Sequence, residues 1–208
     1  MNVPEAFKES RLDVLHAFMR AAPFATLVTN GELGPMAIHL PTLLRTETGR
    51  YGTLYAHAAR DNHEEPKCDT GVPALFIYHG PNAYISPSWY PSKQLHGRVV
   101  PTWNYIVVHA RGVLKTHNEP DWLVAHLKEL TFSQESGREH PWALSDAPKE
   151  YIDSLVRRIV GLEFVISSIT GKWKLSQNRS AGDQDGVING LLREGLPGAL
   201  AVADSMKK

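Results

Sequence analysis

Apolar residues recur along this chain at two different periods, and the switches between them outline its elements. From Pro4 to about Ala22, Phe7, Val14, Leu15, Phe18 and Met19 fall near helical spacing, and Pro23 ends the run. Phe24 to Thr29 reads as a strand, closed by the tight-turn pair Asn30-Gly31. Met36 to Leu44 is extended but carries Pro41, which suits an edge strand or a bulge. Thr48-Gly49 turns the chain into a strand from Tyr51 to Ala56. Ala74 to Tyr78 and Ala83 to Ser86 flank Gly80-Pro81-Asn82 and predict a hairpin, and a strand from Tyr105 to Leu114 follows.

The period then lengthens. Trp122, Leu123, His126, Leu127 and Leu130 share a helical face over 119–130, with Asn118 as its cap. A second helix runs from about Pro148 to Ile159, with Ser145 or Asp146 before it. Leu162 to Ile169 returns to strand character, Lys172 to Leu175 extends or follows it, and Asp183 to Leu192 is a short helix. The tail beyond Gly195 stays unassigned. Six or seven strands and two to four helices that do not alternate regularly predict an α+β fold, mainly antiparallel β. Its sheet is expected to curl into a small barrel with peripheral helices, one domain over residues 1–208.

Composition narrows the partners. Twenty-two basic side chains balance twenty-two acidic ones, which argues against a general polyanion-binding surface and leaves room for a local basic patch. No apolar run approaches the ~20 residues of a membrane helix, so the expected location is cytoplasmic. Cys68 is the only cysteine, which excludes an intrachain disulfide and a four-cysteine zinc site. The ten histidines show no His-Glu-x-x-His spacing, and no metal site is read from them. The helices of the middle region are too far apart for a helix-turn-helix.

Gly-x-Gly-x-x-Gly, a phosphate-loop lysine and a nucleophile elbow are all missing, so side chains and strand backbone would have to hold any nucleotide. Two phrases, Pro87-Ser88-Trp89-Tyr90 and Pro101-Thr102-Trp103-Asn104, set indoles beside prolines as walls for a planar ring. Arg60 offers a bidentate contact to phosphate and Asn62 a neutral donor; alone, Arg60 reads more simply as a surface partner of Asp61. His39 and His57 could donate to a ring carbonyl or a phosphate, although histidines near strands are commonly core or surface residues. Lys172 and Lys174 should share one face of a strand with Trp173 on the other, beside Gln177 and Asn178. Such a pair of cations suits an anion, or else an exposed strand that deters edge pairing.

Longer phrases carry a resemblance. Gly80 to Tyr90, Val100-Pro101-Thr102-Trp103-Asn104-Tyr105 and Gly171 to Asn178 resemble the PaiB-like FMN-binding negative transcriptional regulators. His39-Leu40-Pro41, Ala56 to Asn62 and Ile159 to Glu163 fit the same family. The resemblance implies an FMN-binding split barrel of the kind shared with pyridoxamine-phosphate oxidases and small flavin reductases. It also implies a homodimer with the flavin at the subunit interface, and DNA as a partner. Carried over, His57, Arg60 and Asn62 form the phosphate side, and His39, Pro41 and Thr42 line the ring through backbone groups. Trp103, Asn104, Lys172, Trp173, Lys174 and Gln177 complete the site, some of them from the partner chain. A repressor is the first functional expectation, and an FMN-dependent oxidoreductase or flavin reductase is the alternative. A third reading is a barrel without flavin that binds haem or an acyl compound, with His57 or His79 as a ligand.

Overall fold

Pleat alternation decides the strand registers. The computed structural model describes residues 1–31, 34–60 and 71–207. A short strand, Lys8–Glu9 (β1), precedes the first helix, Leu12–Ala21 (α1), which buries Leu15, His16 and Met19. The helical run predicted from Pro4 therefore starts late. Residues 8 and 9 pair with another strand, and the Glu9 carboxylate accepts the Arg11 N–H at 2.8 Å, so the chain enters the helix from an extended segment. Phe24–Gly31 (β2) and Gly34–Pro41 (β3) form the expected hairpin, but its ladder runs through Asn30-Gly31 to the pair Gly31↔Gly34. Leu43–Arg45 (β4) follows a break at Thr42, as Pro41 suggests, and pairs with Thr53–Ala59 (β5).

Val72–Ile85 (β6) is one continuous strand, and the hairpin expected at Gly80-Pro81-Asn82 does not form. Gly80 does not take the left-handed φ that a tight turn demands, and the φ of proline is compatible with extended backbone. A short helix, Ser92–His96 (α2), leads to Thr102–His117 (β7), which is longer than expected at both ends. Pro120–Glu135 (α3) has Pro120 in its first turn and Glu119 rather than Asn118 at the cap position. Lys149–Val156 (α4), Ile159–Lys174 (β8), Ala181–Glu194 (α5) and Pro197–Met206 (α6) complete the chain. Ser180 caps α5 through its hydroxyl, and the unassigned tail is α6.

Contacts divide the chain into two compact units. One comprises Leu12–Tyr78 and His109–Ile169. Its strands follow the order β3-β2-β6-β7-β8-β5-β4, and every pairing with a defined register is antiparallel. Leu27, Leu54, Phe76, Tyr78 and Phe164 are buried there, with Phe76 and Phe164 edge to face at 5.0 Å. The other comprises Met1–Arg11, His79–Val108 and Thr170–Lys208, with β1 paired to the end of β8. Ile85, Tyr90, Val108, Val187, Leu191 and Val202 are its buried apolar residues.

Trp89, read above as a cleft wall, instead lies on α5, where Gly186 and Gly190 leave room one turn apart. A Cβ at Gly190 would overlap the indole, and one at Gly186 would overlap the Trp89 carbonyl. Helix propensity alone says that Gly190→Ala should stabilise by about 1 kcal/mol. Overpacking costs about 1–3 kcal/mol in the opposite direction, because the atoms in the way belong to the rigid indole and not to the end of a flexible side chain. The expected net result is a loss of about 1–2 kcal/mol in urea unfolding. An unchanged or raised midpoint would show that Trp89 yields freely.

Candidate functional site

Strands β7 and β8 bring the second tryptophan phrase and the lysine phrase together. Asn104 is fully buried, and its Nδ2 donates to Ser176 Oγ at 3.0 Å and to Met206 Sδ at 3.6 Å. Ser176 holds a left-handed φ of 67°, which costs a non-glycine residue about 1 kcal/mol and turns the chain at the end of β8. Lys174 Nζ donates to Thr102 Oγ1 and to the Trp103 carbonyl, each at 2.5 Å. An ammonium has three donors, so one stays available. Burial, and then the neighbouring Lys172 and Arg179 cations, hold the Lys174 ammonium below the usual lysine range.

These residues surround a cavity of about 220 Å³ lined by Thr102, Asn104, Lys174, Ser176, Asn178 and Arg179, with Phe7, Val100 and Pro101. Two cations, two amides and two hydroxyls line it, and no carboxylate does. That donor set fits a phosphate. The volume lies below the roughly 300–1,000 Å³ of sites that enclose a drug-sized ligand, so it fits the anionic end of FMN and not the ring.

The neighbouring predicted residues serve in other ways. The Trp103 ring is 54% exposed and meets the Tyr84 ring edge-on at 6.0 Å, available to a ligand surface. Lys172 Nζ donates to the Asn2 carbonyl at 3.2 Å and lies 5.4 Å from the Tyr105 ring centroid. Gln177 folds back on its own turn, giving Nε2 to the Trp173 carbonyl and accepting the Leu175 N–H. Trp173 is half-buried.

On β5 the alternation aims Tyr55 and His57 at one face, opposite Glu163 and Gly161 of β8. Trp122 of α3 lies over Gly161, where any side chain would collide with the indole. The indole stacks on His117 at 4.4 Å and on His126 at 5.5 Å. His57 Nδ1 and His126 Nε2 are 3.2 Å apart. His126 is 3% exposed and its Nδ1 has no partner. A bare buried acceptor is cheaper than an orphaned N–H, so the shared proton belongs on His126 Nε2. Burial lowers the His57 pKa; burial, then His57, lowers that of His126 to about 4. His57 is thus part of an imidazole–indole cluster that local sequence could not reveal, because its members come from β5, β7 and α3.

Arg60 Nη1 donates to Asn118 Oδ1 at 2.7 Å and Nη2 to the Ile159 carbonyl at 2.8 Å. Its guanidinium is already bound to protein oxygens, beside a cleft of about 880 Å³. Asn62 lies outside the described residues. His39 is exposed, with Nδ1 3.0 Å from Thr26 Oγ1. Pro41 closes β3 opposite Phe24. Thr42 is buried; its N–H and hydroxyl both donate to the Pro23 carbonyl, at 2.9 and 2.8 Å. Tyr78 must then donate to Thr42 Oγ1, at 2.8 Å, and burial raises the phenol pKa. Among the described residues no cluster of three or more acidic, histidine or cysteine side chains could hold a metal ion.

Comparison with known proteins gives these sites a context. Residues 1–168 match the family model described as "Putative FMN-binding domain". The chain is similar to the Bacillus subtilis protease synthase and sporulation protein PAI 2, 31% identical over 207 residues that cover 100% of this chain and 97% of that protein. Among solved structures it resembles the FAD and heme binding protein from Mycobacterium smegmatis, at TM-score 0.59 and 14% identity, covering 86% of this chain and 78% of that one. A conserved hypothetical protein from Mycobacterium tuberculosis matches at TM-score 0.57 and 13% identity, covering 86% and 92%. The shared architecture is the α+β split barrel that the alternation and the PaiB-like phrases led us to expect. No helix among the described residues is long and apolar enough to cross a membrane.

Proposed function

This chain belongs to the FMN-binding domain family, and on that premise we propose that it is a regulatory flavoprotein of the PaiB type, a cytoplasmic homodimer that represses transcription. The observation that carries the flavin part is the carboxylate-free cavity with Lys174 and Arg179. There Lys174, Arg179 and the Asn178 amide would hold the phosphate of FMN, and the ring would leave the cavity past the exposed Trp103 toward a partner subunit. The 172–179 arm lies beyond the matched 1–168 span but within the full-length similarity to PAI 2, which supports the PaiB type. Bound flavin would supply redox or light-absorbing chemistry; the chain's own residues bind its anion and orient its ring.

An absorbance spectrum of freshly purified protein tests the first part. A flavin band near ~450 nm is expected, and chromatography of the released chromophore separates FMN from FAD. Colourless protein that takes up no added FMN would defeat the reading. A gel shift on the protein's own upstream DNA at stated salt tests the second part, and no preference over random DNA would remove the repressor role. NADPH consumption by the flavin-loaded protein would shift the function to a reductase.

A further inference from the structure

We propose that the cleft beside α3 and α4 is a second ligand site, built for a long-chain carboxylate and separate from the flavin cavity. Its volume of about 880 Å³ falls within the range of roughly 300–1,000 Å³ typical of small-molecule sites. Buried Leu123 and Val156 line it together with Val124, Leu144 and Ile152. A second cavity, of about 620 Å³, shares Lys128, Leu144 and Ser145 with the first and continues to Phe132, Pro141 and Trp142. Phe132 is 71% and Trp142 44% exposed, apolar surface that a monomeric protein ordinarily covers. Two joined apolar cavities make a trough, which suits an acyl chain better than a compact ring.

The charges select the head group. Among the lining residues Lys149 is paired with Asp153 at 2.6 Å, and Glu135 with Arg138 at 3.1 Å. Glu135 also accepts the Trp142 N–H, and Arg60 is bound to Asn118 and Ile159. The acceptors of Arg60 are neutral, so Arg60, Lys128 and Arg157 stand against Asp121 alone, a positive surplus with no ion pair to offset it among the described residues. A carboxylate head near Arg157 and Lys128 reduces it, while the chain runs past Leu144 to Trp142 and Phe132. A neutral amphiphile would leave the surplus uncompensated, and a cationic one would increase it.

The test is a fluorescence titration of the full chain with dansylaminoundecanoate, followed by displacement with dodecanoate or dodecanol. Saturable binding is expected, with dodecanol displacing the probe about ten-fold less well than dodecanoate. The K128E/R157E double variant and the cleft-filling V124W should each weaken binding by about ten-fold or more, with flavin content unchanged. Absence of saturable binding, equal displacement by the alcohol, or full binding by both variants would overturn the proposal. So would a variant whose sedimentation mass changes, since the face would then join copies of the chain. If the variants fail to fold, the contrast between acid and alcohol on the wild-type protein decides alone.

Discussion

Lowering the pH from 6.5 toward 4 is expected to cost the folded protein roughly 3 kcal/mol through one histidine pair. His126 titrates near 6.5 when unfolded and near 4 when folded, and His57 is lowered as well. A base whose folded pKa is depressed leaves the unfolded chain binding more protons, so stability is full above 6.5 and falls as acid is added. Burial between α3 and β5 is the main cause, and the second proton would sit 3.2 Å from the first imidazole. Facing groups act both ways: Glu129 favours the imidazolium, while Arg45, whose Nε donates to Glu129 at 3.1 Å, opposes it. Behind Trp122, His117 Nε2 lies 3.0 Å from Glu163. For a chain of this length the change amounts to roughly 6–12 °C in Tm. Urea midpoints between pH 4.5 and 7 should climb with pH, and His126→Leu should flatten that climb. Equal wild-type midpoints at pH 5 and 7 would remove the pair as the cause.

The Lys174→Glu protein is expected to lose FMN affinity by about 10- to 150-fold, the equivalent of roughly 1.5–3 kcal/mol for one charge-assisted hydrogen bond. Lys174 has one donor left for a ligand, in a cavity without carboxylates. A glutamate there would face the phosphate and add repulsion to the lost contact. Riboflavin provides the control, because it lacks the phosphate and should bind wild type and variant alike. Calorimetric or fluorescence titration with both ligands reads the difference. If riboflavin suffers equally, the cavity has collapsed; if FMN is unaffected, the phosphate lies elsewhere, most directly on the Arg60 side. Wild-type FMN affinity should also decline as rising pH neutralises a lysine that burial has already pushed down.

Local pattern carried the fold wherever partners were near in sequence. The β2–β3 hairpin, the break after Pro41 and the apolar stripes of α3 and α4 are all readable that way. It failed at Gly80-Pro81-Asn82, where turn-forming residues were held extended inside a 14-residue strand. It failed again at α6, although Pro197 in the first turn after the left-handed Gly195 was a usable signal. Asn104 and Lys174 were singled out by the PaiB-like phrases, and the structure brings both to one cavity. The partner of Asn104, Ser176, was not, since a left-handed serine has no sequence signature. Arg60 and His57 have the residue types a phosphate needs, but carbonyls and rings 58 to 99 positions away engage them.

Two segments distant in sequence meet at the cationic cavity: Phe7 lines it, Asn2 accepts from Lys172, and Met206 contacts Asn104. The anion site is thereby coupled to any local opening of those two segments. Ligand arrival should therefore slow amide hydrogen exchange at residues 2–9 and 200–206 more than in the central strands.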